Sequence, residues 1–479
     1  MGFKNLSAYI ERLEELGQLK RIAAPVSPEL EITEIADRVV KCGGPALLFE
    51  NVEGSKYPLL MNAFGSYERM AIALGADSLD ELGDDIAELI DFSRYLKLKS
   101  AVKAAPSLTR LLAALPIKVP TAPCQEVEEE PDLDTLPILK CWPGDAGKFM
   151  TLPLVFTKDP ETGAQNVGMY RLQVYDRRTT GMHWHLHKDG REIYEKYRKL
   201  GGRMPVSVVV GSDPATVYAA TAPLPKMIDE LMFAGYLRRR PITIVKCKTN
   251  DIYVPANSEF VLEGYVDTEE LREEGPFGDH TGYYSERDMY PVFHIEKVTR
   301  RRNPVFMATI VGRPPMEDCY MAKATERLFL PLLRMMAPEI VDINFPLEGV
   351  FHNCVIVSIK KRFPAHAKKV MNTVWGMGQM MYTKMIVVVD EDTSPHDLSK
   401  VAWKVFNNID ARRDLVISDG PLDALDHASP MRHMGSRVGI DATKKWKSEG
   451  YEREWPDDIE MPQDVQRLVS GRWDEYGID

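Results

Sequence analysis

Apolar and polar positions divide the chain into three textures. Up to about residue 120, Leu6, Ile10, Leu13 and Leu16 recur at helical spacing, so residues 5–17 are predicted to form an amphipathic helix and 32–40 a second. Short buried strands are expected at 45–49 and 57–61, and helices at 69–74, 79–90 and 108–115. A proline-marked acidic connection, CQEVEEEPDLDTLPIL at 124–139, reads as a solvated linker. Short strands then dominate, at 152–156, 167–175, 205–210, 242–246, 252–254, 260–266 and 292–298, with helices only near 191–200 and 225–238. That spacing suits a β-barrel or sandwich. Farther on, a long apolar helix at 321–336 is expected to kink or end at Pro331. Strands and helices then alternate at 354–359, 365–377, 384–389, 397–407 and 415–418. Unbroken apolar runs in those strands imply burial on both faces of a mainly parallel sheet. The expected domains are 1–120, an α/β unit; 121–310, a β-rich unit; and 311–479, a linker helix with an α/β unit. The tail beyond 446 is expected to pack on a neighbouring domain or subunit.

Composition narrows the function without naming it. The 479 residues, 44% hydrophobic and 27% charged, fit a globular protein of about three domains. A formal charge of −11 argues against non-specific nucleic-acid binding, which draws on a basic surface. Six scattered cysteines with no CxxC pair read as reduced core thiols of a cytoplasmic protein. No stretch approaches about 18 apolar residues, so no membrane span is predicted, and peripheral membrane association would rest on short exposed patches.

The densest polar stretch runs from Asn166 to His187, NVGMYRLQVYDRRTTGMHWHLH. It reads as a hairpin, 167–175 returning along 182–187. Residues two apart on a strand share a face, so His183, His185 and His187 form either a row of metal ligands or a polar, solvated face. Glu230 lies in a short helix, where a single glutamate is ordinarily solvated. In EGPFGDHTGYY, Glu274 and Asp279 flank a turn able to bring two carboxylates together. Such a pair serves proton transfer where burial or repulsion lifts one pKa toward neutrality.

Three segments, NVGMYR with His187 downstream, DELMFAG around Glu230 and EGPFGDHTGYY, resemble the UbiD family of prenylated-flavin-dependent decarboxylases. RPPMED at 313–318, FHNC at 351–354, TKMIVVVDED at 383–392 and LDHASP…GSRVGIDATKKW at 425–446 extend the resemblance over nearly the whole chain. It is strongest to the bacterial quinone-pathway branch. The resemblance implies an N-terminal α/β domain, a central split β-barrel that binds prenylated FMN and metal, and a C-terminal α/β domain that oligomerises and closes the active site.

Position by position, it implies that Asn166, His187 and Glu230 hold a Mn²⁺ (or Mg²⁺) anchoring the cofactor phosphate, a donor set that suits a hard octahedral ion. A K⁺ ion is implied beside it, on carbonyls of 220–223 with Glu230 shared. Arg171 would clamp the substrate carboxylate and pair with Glu274, while Asp279, its pKa raised in a closed, water-poor pocket, would protonate the carbon that loses CO₂. Arg171 lies five residues beyond Asn166, on the opposite face of a regular strand, unless Gly168 hosts a bulge. Thr151, Gly168, Met169, Thr221 and Pro223 match cofactor-lining positions, and Lys384 is the position that the third domain sets beside the flavin. Leu186 stands where cinnamate-type relatives carry Gln, so a polar contact to the flavin falls to His185 unless that ring faces solvent. His183 is taken as structural, and His280 as a pocket-lining residue without an assigned role.

The implied reaction is non-oxidative decarboxylation of an aromatic acid through an adduct with the cofactor's azomethine ylide, which supplies the electron sink that an in-plane C–CO₂⁻ bond lacks. The expected substrate is a polyprenylated hydroxybenzoate or naphthoate of ubiquinone or menaquinone biosynthesis. The same-family alternative is reversible (de)carboxylation of an unprenylated aromatic or heteroaromatic acid. Two readings from other classes are an FMN-binding reductase and a metal hydrolase built on the histidine row. A flavin prenyltransferase is implied as cofactor supplier, and a homodimer or dimer-built hexamer as the assembly.

Overall fold

The computed structural model describes residues 2–95, 114–185, 188–226 and 228–478. The predicted helix at 108–115 lies mostly outside them, as do Leu186 and His187.

Near the N-terminus, Leu6, Tyr9, Ile10 and Leu13 form the buried stripe of helix Leu6–Glu15, which starts where the Asn5 side chain accepts the Ala8 N–H (3.0 Å). The accompanying sheet has the order Leu19–Ile22, Ala46–Phe49, Leu59–Met61, Phe306–Met307. Its last strand comes from the far end of the β-rich unit and pairs parallel to Leu59–Met61. The first two units accordingly share one continuous apolar core.

The central sheet is antiparallel, in the order Thr179–Gly181, Asp288–Arg300, Phe260–Glu274, Arg203–Val210, Pro153–Lys158, Gln165–Met169, with Val127–Glu129 also on Asp288–Arg300. Its end strands do not pair with each other, so the barrel stays open. Val127–Glu129, with buried Cys124, Leu133 and Leu136, shows that 124–139 is more than a solvated linker. The two longest strands extend past their predicted ends into a hairpin tipped by 275–287, bent by register shifts at Glu263/Gly264 and Val266/Leu271. Only glycine fits at 264, where a Cβ would lie 1.9 Å from the His294 carbonyl oxygen.

Helix Glu317–Met336 continues through Pro331, so the predicted helix does not end there. Proline deprives the Arg327 carbonyl of its helical donor. That oxygen lies where a Cβ on Gly83 would come within 2.8 Å, so glycine there lets helix Leu79–Tyr95 pack closely against it. The C-terminal sheet follows the order Ile340–Asn344, Cys354–Ile359, Met385–Asp390, Met434–Asp441, Leu415–Pro421. Its three central strands are parallel and both edge strands antiparallel. Val355 and Val357 pack on one face with helix His366–Trp375, and Ile356 and Val389 on the other with Val401. Two buried faces explain the unbroken apolar runs. In the tail, Asp458 pairs with Lys404 (2.6 Å), while helix Gln463–Gly471 buries none of its residues within the chain.

Candidate active site

Strand Gln165–Met169 pairs with Pro153–Lys158 in unbroken register, from Gln165 opposite Lys158 to Met169 opposite Leu154. Gly168 therefore hosts no bulge. The strand ends at Met169, and the chain leaves it through Tyr170 and Arg171 before Leu172–Gln173 joins a different sheet. This exit reorients Arg171. The returning strand is Thr179–Gly181, shorter and earlier than predicted, so His183 and His185 lie beyond it and do not line a strand face. Their Nε2 atoms share a hydrogen bond of 2.6 Å, and His183 Nδ1 lies 3.0 Å from Glu274 Oε2.

Arg171 is the hub. Its Nε and Nη2 donate to the two oxygens of Glu274 (2.8 and 3.0 Å), Nη2 also donates to Ser285 Oγ (3.1 Å), and Nη1 donates to Asp279 Oδ2. The guanidinium lies 4.7 Å from the centroid of the Phe277 ring. Glu274 ends the long strand Phe260–Glu274, and Asp279 sits on the hairpin tip, so sheet geometry brings the two acids to one arginine.

Burial by itself would raise both carboxyls; charge pairing wins. Arg171 and His183 hold Glu274 down at about 2. Arg171, and then a hydrogen bond from His280, hold Asp279 well below the usual carboxylate range. The expectation of a raised Asp279 pKa is therefore reversed in this state. Its neighbour shifts the other way: burial would lower His280, but its bond to Asp279 (Nδ1 to Oδ1, 2.9 Å) leaves it raised. His185 is pushed down to about 3 by burial and by its neighbour His183, and stays neutral.

The second group is Asn166 and Glu230. Asn166 Nδ2 donates to Glu230 Oε1 (2.7 Å), and the buried Asn166 Oδ1 has no hydrogen-bond partner among the described residues. Glu230 opens helix Glu230–Leu237, whose N-cap is Asp229, and burial pushes its carboxyl up to about 7. An orphaned amide oxygen beside a carboxylate with no cationic partner among the described residues is a donor pair that fits a hard divalent ion.

A cleft of about 180 Å³ lies beside the Arg171 network, lined by Thr151, Met169, Tyr170, Arg171, His183, His185, Lys188, Phe277, Asp279, His280, Val311 and Leu425. Gly168 is covered by the Tyr170 ring, which a Cβ there would meet at 2.4–2.5 Å. The Thr221 hydroxyl donates to the Tyr218 carbonyl (2.7 Å), and neither Thr221 nor Pro223 lines the cleft. Lys384 pairs with Asp426 (2.7 Å), and the C-terminal domain reaches the cleft through Leu425 instead. Sequence reasoning missed Ser285 and the bond from His183 to Glu274. Neither carries a motif, and both depend on how the hairpin tip folds back.

Three family profiles match the chain: the 3-octaprenyl-4-hydroxybenzoate carboxy-lyase N-terminal domain over residues 10–89, the Rift-related domain over 117–314 and the C-terminal domain over 319–442. An uncharacterized protein of Archaeoglobus fulgidus is 53% identical over 477 residues, covering 99% of each chain. Among solved structures, the vanillic acid decarboxylase of Sedimentibacter hydroxybenzoicus in closed form is 28% identical with a TM-score of 0.87, covering 100% of each chain. The UbiD-class enzyme HmfF from Pelotomaculum thermopropionicum, in complex with FMN, is 27% identical with a TM-score of 0.80, over 97% of this chain and 99% of that one.

Proposed function

This chain belongs to the UbiD carboxy-lyase family, and from that premise we propose that it decarboxylates a small unprenylated aromatic or heteroaromatic acid with prenylated FMN. The observation that carries the reading is the Arg171 guanidinium, held between buried Glu274 and Asp279 at the wall of the cleft. When bound, prenylated FMN supplies the electron sink that an aryl or vinyl carboxylate lacks. Asn166 and Glu230, with His187, would hold the Mn²⁺ or Mg²⁺ to which the cofactor phosphate binds. The Ala220 carbonyl accepts the Met169 N–H (3.2 Å), which keeps the 220–223 carbonyls, the expected K⁺ ligands, beside the same strand.

Arg171 positions the substrate. A guanidinium has five N–H donors; Glu274, Ser285 and Asp279 take four of them, and the fifth, on Nη1, is left for the substrate carboxylate. A second anion beside Asp279 raises the proton affinity of Asp279. Asp279 then takes up a proton from solvent and delivers it to the ring carbon that has lost CO₂, while the hydrogen bond from His280 Nδ1 holds its carboxyl in place. Phe277 and Tyr170 keep that wall apolar and poor in water.

A cleft of about 180 Å³ has no room for the polyprenyl tail of a quinone-pathway hydroxybenzoate or naphthoate, which would have to leave through the mouth. The Sedimentibacter neighbour acts on vanillic acid, which has no such tail. The expected assembly is a homodimer or dimer-built hexamer. No described helix is long and apolar enough to cross a membrane.

The test is co-expression with a flavin prenyltransferase, mass measurement of the released cofactor, and CO₂ release across a panel of aromatic acids with and without prenyl chains. Prenylated FMN with turnover of unprenylated acids is the expected result. Ordinary FMN, or none, together with full Mn²⁺ occupancy and no CO₂ from any acid overturns the reading. Turnover of prenylated acids alone overturns the substrate choice.

A further inference from the structure

Apart from the Arg171 network and the Asn166–Glu230 pair, a third cluster of ligand-type atoms lies beside the cleft. One imidazole nitrogen each of His280 and His352 and a carboxylate oxygen of Asp423 lie within 4.8 Å of one another. His280 comes from the hairpin tip of the β-rich domain. His352 and Asp423 come from turns next to strands Cys354–Ile359 and Leu415–Pro421 of the C-terminal sheet.

Each group is set as a ligand would be. His280 Nδ1 is committed to Asp279 Oδ1 (2.9 Å), the kind of outward hydrogen bond that fixes the tautomer of a metal-binding imidazole and strengthens its basicity. His280 Nε2 is then left buried, without a hydrogen-bond partner among the described residues. His352 Nε2 is likewise buried without a hydrogen bond, 3.6 Å from Asp423 Oδ2. His352 follows Val350 and Phe351, both at positive φ (42° and 41°), a region that β-branched and bulky side chains avoid; such strain persists where the surroundings enforce it and is found at binding sites. Asp423 Oδ1 accepts the Leu425 N–H (2.9 Å), which turns Oδ2 toward His352.

Two imidazoles and a carboxylate around one point are the donor set of many transition-metal centres. We infer that His280, His352 and Asp423 bind a divalent transition-metal ion of the zinc and cobalt class, separate from the hard-ion site at Asn166 and Glu230. The ion ties the C-terminal domain to the β-rich domain beside the cleft. Bonds of about 2.1 Å place neighbouring ligand atoms about 3.4 Å apart, so binding draws the three groups together by roughly an ångström. Three protein ligands leave at least one coordination position for water.

The test is a Co²⁺ titration of the full chain, with Mn²⁺ saturating the other site, read by the visible ligand-field absorption of bound Co²⁺. One equivalent per chain is expected, with the band retained in Asn166→Ala. In His352→Gln and, separately, Asp423→Asn, each near-isosteric so that one folded variant suffices, the dissociation constant is expected to rise by about tenfold or more. A wild-type chain with no such band, or folded variants that titrate like wild type, overturns the assignment. No substrate or flavin enters the experiment, so its outcome is independent of the proposed activity.

Discussion

Removing the Arg171 side chain tests the charge balance of the site most directly. Glu274 has a fully buried side chain, and its carboxyl is held at about 2 against an ordinary 4.5. At about 1.4 kcal/mol per factor of ten, that depression corresponds to roughly 3 kcal/mol of stability near neutral pH. Because the folded pKa is the lower one, this contribution is present above about 4.5 and is lost as pH falls toward about 2. Arg171→Ala removes it and leaves two buried carboxylates without their counter-charge, so a destabilisation of roughly 3–5 kcal/mol is expected near pH 7, narrowing in acid. Glu274→Gln added to Arg171→Ala removes one orphaned charge. The double variant should therefore be more stable than the sum of the two single losses predicts, by about 1–3 kcal/mol. Urea unfolding followed by circular dichroism, with midpoints compared at unchanged slope, measures each value. Strictly additive losses, or a cost that does not shrink with acidification, would refute the reasoning.

Three further outcomes follow from the same geometry. Asp279→Asn should keep the cofactor but lower kcat by about 10²–10⁴-fold, the usual worth of a general acid, and a near-wild-type rate would defeat the proton-donor role. His183→Ala takes a hydrogen bond from ionised Glu274 and should lower kcat roughly 10- to 100-fold, the equivalent of about 1.5–3 kcal/mol; unchanged steady-state kinetics would return His183 to a purely structural part. Glu230→Ala should purify without its divalent ion and with little flavin, and elemental analysis showing wild-type metal content would remove Glu230 from the site.

Much of this protein is legible in the chain alone, because local chemistry leaves a local mark. Leu6, Ile10 and Leu13 announce a helix face by spacing, and the apolar runs at 354–359 and 385–389 announce a sheet buried on both sides. Asn166, Glu230, Arg171, Glu274 and Asp279 stand out through three ordered segments, and the fold brings Arg171, Glu274 and Asp279 into one hydrogen-bonded network and Asn166 and Glu230 into contact. Other features depend on partners far away in sequence. Pro331 reads as a kink or an end of its helix, yet the helix continues through it, with Gly83 of a second helix close against the Arg327 carbonyl. Phe306–Met307 joins the N-terminal sheet, a pairing no local pattern encodes.

The site shows the same division. Residue types and their order marked out the candidate groups, since an arginine, two acids, an amide and a glutamate keep their chemical character wherever they fall. Tertiary structure decided their protonation. A carboxyl such as Asp279 is raised by burial and lowered by a neighbouring cation, and only the distances to Arg171 and His280 tell which effect wins. It likewise decided that the chain turns out of its strand at Tyr170 instead of bulging at Gly168, and that His352 and Asp423 meet His280 beside the cleft. Those outcomes depend on long-range packing, which the one-dimensional order of residues does not record.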